Sequence, residues 1–354
     1  MKLLLGRKVV NPDSRDGNGR MPLWYAVKAG HEEIVKLLLG RKEVNLDSRD
    51  NVGQTLLLCA AKGGHERIVK LLLDRKEVNP DSRDNIGQAP LLSAAKCGDE
   101  ETVKVLLNRK EVNPDSRDPL GQTPLWLAVE AGHEGIVKLL LDRKDVNPDS
   151  RDTYRNAPLL SAAKSGHEGI IKLLLGRKEV NPNSRDKNGN TPLIHAADGG
   201  HDGIVELLLD RKEVDPDFRG NRGWTPLLCV AMGGHEGIAK LLLNRKEVNP
   251  DSRNNAGRTP LLRAAEGGHE GIVKLLLNRK EVNPDSRDLD GSTPLSCAAE
   301  GGHEGIVKLL LGRREVNPNS RDSYCDTPLM CAARHNHEGI IKLLQGRLHA
   351  VPYR

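Results

Sequence analysis

Apolar residues recur along the chain in two alternating clusters. Residues 133–141 place Ile136, Val137, Leu140 and Leu141 on one face of a helix, with Lys138 directed outward. Before them, residues 124–131 form a shorter and almost wholly apolar stretch. Thr123-Pro124 opens that stretch as an N-cap followed by a first-turn proline. Gly132 closes it, the residue best suited to a left-handed C-cap. His133-Glu134 then begins the second helix with an acid at the positive end of its dipole, and Arg143-Lys144 ends it where cations are favoured. Turn residues Asp118-Pro119-Leu120-Gly121-Gln122 precede the pair, and an extended arm over 145–151 follows. The pattern predicts turn, helix, turn, helix and arm.

That unit repeats. The words of residues 259–277 occur almost unchanged 34 residues earlier, from Thr225, and 34 residues later, from Thr293. A fixed period in this range marks an architecture whose units touch only their neighbours. The register gives a partial unit over 1–15. Full units follow at 16–49, 50–83, 84–117, 118–151, 152–185, 186–219, 220–253, 254–287, 288–321 and 322–354, the last partly capping. The C-cap column reads Gly30, Gly64, Gly98, Gly132, Gly166, Gly200, Gly234, Gly268 and Gly302, then Asn336, the other residue that tolerates the left-handed region. At the turn tips Arg155 and Cys325 replace the usual glycine, so those two tips are expected to be distorted or differently built. Helices this short are marginal alone, and their stability is collective. Leu3, Leu4 and Leu5 lack an upstream unit to cover them, which calls for an upstream domain or a partner at that end.

Thr-Pro-Leu followed by Ala-Ala, then Gly-His-Glu and Val-Lys-Leu-Leu-Leu, resembles the ankyrin repeat, with its period of about 33 residues and T-P-L-H-x-A motif. The 34-residue period and the Asn-Pro-Asp-Ser-Arg-Asp arm are similar to fungal-type ankyrin arrays. The resemblance implies an all-α fold, an α-solenoid of stacked helix-turn-helix units with β-turn or hairpin tips. It also implies a non-catalytic scaffold that binds a partner protein along a concave groove. One departure is consistent: the histidine of T-P-L-H is replaced by Trp24, Leu58, Leu92, Trp126, Leu160, Ile194, Leu228, Leu262, Ser296 and Met330, so apolar packing should substitute for it.

Composition narrows the function classes. Aromatics are 2 % of the chain and hydrophobics 37 %, so the core is built from Leu, Ile, Val and Ala. Lys plus Arg number 54 against 49 acids, a net +5 that does not by itself call for nucleic acid. Arg-Lys pairs recur at 75–76, 109–110, 143–144 and 177–178, which would suit a phosphate ladder, yet an acid follows each and aromatic interleaving is missing. Cys59, Cys229, Cys297 and Cys331 share one column a full unit apart, too far for a disulfide, which suggests reduced thiols in the cytoplasm or nucleus. His133, His167 and His201 are likewise one unit apart, beyond shared ligation of a metal. The Asp-rich turn over 285–291 has Arg287 and Leu289 where a calcium loop needs oxygen ligands. No phosphate loop and no unique nucleophile–base set occurs. No enzyme, cofactor, metal or membrane span is expected.

Comparing units within the chain shows where sequence is free to differ: the turn tips and the end of the first helix. In ankyrin repeats these two zones line the groove. The column after Ala-Ala reads Lys28, Lys62, Lys96, Glu130, Lys164, Asp198, Met232, Glu266, Glu300 and Arg334, mostly basic first and mostly acidic later. With tip residues Ile86, Leu120, Tyr154, Arg222, Trp224, Arg258 and Tyr324, it makes the candidate partner-binding set, a surface that would orient an elongated partner by charge. Two alternatives stand beside this reading. One is the regulatory arm of a larger protein with a nucleotide-binding switch, and the other is nucleic-acid binding along the Arg-Lys column.

Overall fold

Thr123 shows how the sequence nucleates its helices. Its backbone is extended, and its buried hydroxyl accepts the N–H of Trp126 at 3.2 Å. Pro124 then starts the helix without needing a donor. Gly132 ends it at φ 79°, and the chain turns directly into the next helix.

The computed structural model describes residues 11–41, 44–220 and 222–350. Leu3, Leu4 and Leu5 lie outside them. The chain divides into two compact units, Met1–Ala162 with Gly169–Asn181, and Ala163–Glu168 with Pro182–Arg354. Twenty helices occur among the described residues, in pairs of seven or eight residues each until the final thirteen-residue helix, Glu338–Ala350. Extended pairing among them is limited to one isolated bridge, Arg49 with Thr55. Within each unit first helices stack on first helices and second helices on second helices, as Pro90–Cys97 does on Pro124–Ala131, and Glu236–Leu243 on Glu270–Leu277.

The core of each unit is built from the apolar faces of its helices. In Glu134–Leu141, Ile136, Val137, Leu140 and Leu141 are all buried, each contributing about 1.5–3 kcal/mol relative to exposure. The motif histidine's usual place is filled as expected: Leu58, Leu92 and Leu228 are completely buried, and Trp126 nearly so. Ser296 takes a different route, completing a capping box with Thr293. Met330 is half exposed and packs least.

Polar groups hold the arms to the first helices of their own repeats and to the arms that follow. Ser82 Oγ lies 3.0 Å from Thr55 Oγ1, and Ser286 Oγ 3.2 Å from Thr259 Oγ1. Asn79 Oδ1 accepts the Asp81 N–H at 3.0 Å, closing an Asx-turn. Arg83 Nη1 donates to the carbonyl of Arg117 at 2.6 Å, and Arg253 Nη1 to that of Arg287 at 2.8 Å. The aspartate that follows the arm proline sits half buried. Asp81, Asp115 and Asp149 in the first unit, and Asp217, Asp251 and Asp285 in the second, are all held above the ordinary carboxylate range by burial.

Candidate partner-binding surface

The tips are rigid frames carrying variable side chains. Asp118 Oδ1 accepts two N–H groups of its own turn, from Leu120 and Gln122, both at 2.9 Å. The tip carbonyl of Leu120 accepts the N–H of Thr153 in the next tip at 2.8 Å. The same bond joins Asn85 to Val52 and Leu289 to Ala256. With the backbone committed, the side chains project. Ile86 is 65 % exposed, Leu120 46 %, Tyr154 48 %, Leu289 75 % and Tyr324 81 %.

The two tips without glycine are not rebuilt, contrary to expectation. Arg155 and Cys325 adopt φ 66° and 64°, the conformation the glycines adopt elsewhere. Their N–H groups bond to Asp152 and Asp322 as the glycine N–H groups do to their own aspartates. The inter-tip and aspartate bonds over-determine the turn, so a side chain is forced into the left-handed region.

At the ends of the first helices the backbone is equally fixed. His133 Nε2 bonds the carbonyl of Lys96 at 3.2 Å, His235 that of Asp198 at 3.3 Å, and His269 that of Met232 at 3.0 Å. His65, His201, His303 and His337 meet Lys28, Lys164, Glu266 and Glu300 in the same way. Where a repeat carries this histidine it therefore anchors a variable position of the preceding repeat. The repeat at 84–117 has Asp99 in its place, which caps its own helix on the Thr102 N–H instead. The histidine's role was not visible in the sequence, because the acceptor is a backbone atom 37 residues away.

The expected column residues are all exposed, and some already have partners. In the first unit, Lys28 Nζ lies 5.3 Å from the centre of the Trp24 ring, and Lys62 Nζ 3.3 Å from Asp84 Oδ2. Lys96 and Glu130 are also exposed there. In the second unit, Lys164, Asp198 and Glu300 are exposed. Glu266 is held between Arg258 Nη1 at 3.3 Å and Arg263 Nη1 at 2.8 Å, while Arg258 Nε also pairs with Asp288 Oδ2 at 3.2 Å. Pairs in which both groups are exposed contribute about 0–1 kcal/mol and can be exchanged for a partner's charges, whereas Asp84 and Asp288 are buried and hold their cations in place.

One cleft gathers expected and unexpected residues. In the second unit, Asp198, Arg222 and Trp224 line a cavity of about 570 Å³ together with Ile194, His195 and Met232. His195 Nε2 is 3.1 Å from Asp186 Oδ2, and Arg263 covers one face of Trp224 at 4.9 Å from the ring centre. His195 and Met232 were not among the expected residues. A signal for each existed: Met232 interrupts a charged column, and His195 is the one histidine at its helix position.

The arginines of the Arg-Lys column are engaged with the scaffold. Arg143 Nη1 donates to the carbonyl of Leu107 at 2.7 Å, and Arg313 Nη2 to that of Leu277 at 2.9 Å. These are the ends of the preceding second helices, where unpaired carbonyls favour a cation. The six cysteines are free, and burial pushes Cys59 to about 11 and Cys229 to about 12, keeping them as thiols rather than nucleophilic thiolates. Among the described residues no three His, Cys, Asp or Glu side chains gather as a metal site would need, and no helix is long and apolar enough to cross a membrane.

Short paired helices on a glycine-punctuated repeat, stacked through Leu and Ala, define a repeat scaffold. The family model described as ankyrin repeats (3 copies) matches residues 1–84, 76–152, 144–219, 212–288 and 280–350, and the chain belongs to the ankyrin-repeat family. Ankyrin repeats are generally non-catalytic protein–protein interaction modules. No curated protein matches the chain.

Proposed function

We propose that this protein is a non-catalytic scaffold that binds partner proteins through its turn tips and the adjoining ends of its first helices. The observation that carries the reading is a division of labour. Hydrogen bonds from histidine, aspartate and neighbouring tips fix the backbone, and the side chains left exposed there are the ones that differ between repeats. Within the first unit that face carries Lys28, Lys62 and Lys96 and suits an acidic segment. Within the second it carries Asp198, Glu266 and Glu300 and suits a basic one. Complementary charge would set register and association rate more than affinity. The apolar tips Ile86, Leu120, Tyr154 and Tyr324 would supply the buried anchors.

Photo-crosslinking residues placed singly at Ile86, Leu120 and Tyr154 test the reading against the same probe at Lys138 and Lys274 on second helices. The tip probes should trap a protein and the helix probes should not. Equal capture from both faces would refute it.

A further inference from the structure

The second unit's cleft differs from the rest of its face. Ile194 is 3 % exposed and Cys229 5 %, so part of its lining is buried apolar surface, with Met232 44 % exposed beside it and Asn188 and Asn190 supplying polar lining. Trp224 is half buried, with Arg263 on one side of the ring. Against this apolar wall stands Asp198. Among the described residues its carboxylate has no ion pair or hydrogen bond, whereas Glu266 in the same column is held by two arginines and Glu300 lies 3.9 Å from His335. His195 Nε2 is already engaged with Asp186. Asp198 does lie close enough to Cys229 to help keep that thiol protonated.

We propose that this cleft receives a lysine or arginine side chain of the partner protein, its cation on Asp198 and its aliphatic stem along Trp224, Ile194 and Met232. The inference rests on the protein-recognition reading and names the chemistry recognised at one place on that face. Three physical points select this occupant. A carboxylate beside buried apolar surface gains most from a cation whose approach also covers that surface. Lysine and arginine are the side chains that combine a charged head with several methylenes to bury. Indole and thioether surfaces are the partners such a stem and cation prefer, through the ring's quadrupole and the polarisable sulfur. An acidic segment could meet Arg222 at the rim, but it would leave the apolar lining uncovered and face Asp198. Arg222 instead suits an acid beside the basic residue in the partner, which would fix the direction of the segment.

A random peptide library displayed on phage and selected on the full chain tests this directly. Enriched peptides should share a lysine or arginine, and their affinity should fall at least tenfold on Asp198→Asn and on Trp224→Ala. Asp198→Lys should shift the enriched residue to aspartate or glutamate. Asp198→Asn is nearly isosteric and exposed, so an unchanged melting temperature is expected and separates lost recognition from lost folding. Basic peptides indifferent to Asp198→Asn would overturn the inference. So would peptides that lose affinity on Asp198→Asn or Trp224→Ala yet carry no basic residue. Peptides displaced by Ile86→Ala and Leu120→Ala but not by the cleft variants would overturn it while leaving the recognition reading standing. Enrichment of no peptide would count against both.

Discussion

The hydroxyl of Thr55 lies 3.0 Å from the hydroxyl of Ser82, and it also accepts the N–H of Leu58. One side chain thus caps a helix and ties it to the following arm. The repeat starting at Asp84 lacks this device. Ala89 stands at the N-cap without a side-chain bond, and Ser116 Oγ, twenty-seven residues on, is buried with no partner. Ala89→Thr should therefore stabilise the protein by about 1 kcal/mol, the usual worth of a capping threonine, read as a raised urea midpoint with unchanged slope. Destabilisation would mean that Trp126, which packs beside Ala89, already fills the threonine's space.

Glycines in the C-cap column should differ in tolerance. Gly98 has φ 81°, and a Cβ there would lie 2.6 Å from Cε1 of His133. Gly64 has φ 66°, but a Cβ there would meet only Asp99 Oδ2 at 3.9 Å. Both alanine variants should lose about 1–2 kcal/mol to the left-handed backbone, and Gly98→Ala roughly 1 kcal/mol more to overpacking. A double-mutant cycle with His133→Ala should recover part of that excess. Equal losses at both positions would show that the histidine yields freely.

Arg155→Gly and Cys325→Gly should each raise stability by up to about 1 kcal/mol, since glycine relieves the left-handed strain and returns part of the gain as unfolded-state entropy. Thermal unfolding of the two variants is the measurement. No change in either would mean that these turns carry no strain.

Much of this was legible beforehand. The period, the helix pair, the glycine column and even the Asn336 exception, at φ 58°, could be read because local preferences and the repeat agree. Three things were not legible. The histidine and Arg83 bonds end on backbone carbonyls, which have no letter in the sequence. Arg155 keeps a glycine conformation because its neighbours impose it. The cleft was half legible: Asp198, Arg222 and Trp224 stood out as variable, but its buried apolar lining, Ile194 and Cys229, is a matter of packing rather than of pattern.

The arm aspartates give a pH signature. Their folded pKa lies above 3.8, so the folded state binds more protons than the unfolded state in the window just above that value. Their contribution to stability therefore rises as pH falls through the window and is a cost at neutral pH. Replacing Asp81, Asp115, Asp149, Asp217, Asp251 and Asp285 by Asn should raise the urea midpoint at pH 7, and the advantage should shrink on acidification. Exposed acids such as Asp145, held low by the hydrogen bond from Arg143, work in the opposite sense and are common to both proteins. An advantage that grows towards acid pH would contradict the assignment.

The central claim is that recognition lives on the exceptions to the repeat and not on the repeat itself. Two variants of equal net charge separate the alternatives: Lys28, Lys62 and Lys96 changed to Glu, and Lys70, Lys104 and Lys138 on the second helices changed to Glu. Affinity for the protein trapped by the tip crosslinkers should be measured for both as a function of salt. The first variant should bind at least tenfold more weakly at low salt, with the difference fading as salt screens the charges, and the second should bind as the parent does. Equal losses in the two variants, or unchanged affinity of the first at low salt, would contradict the account.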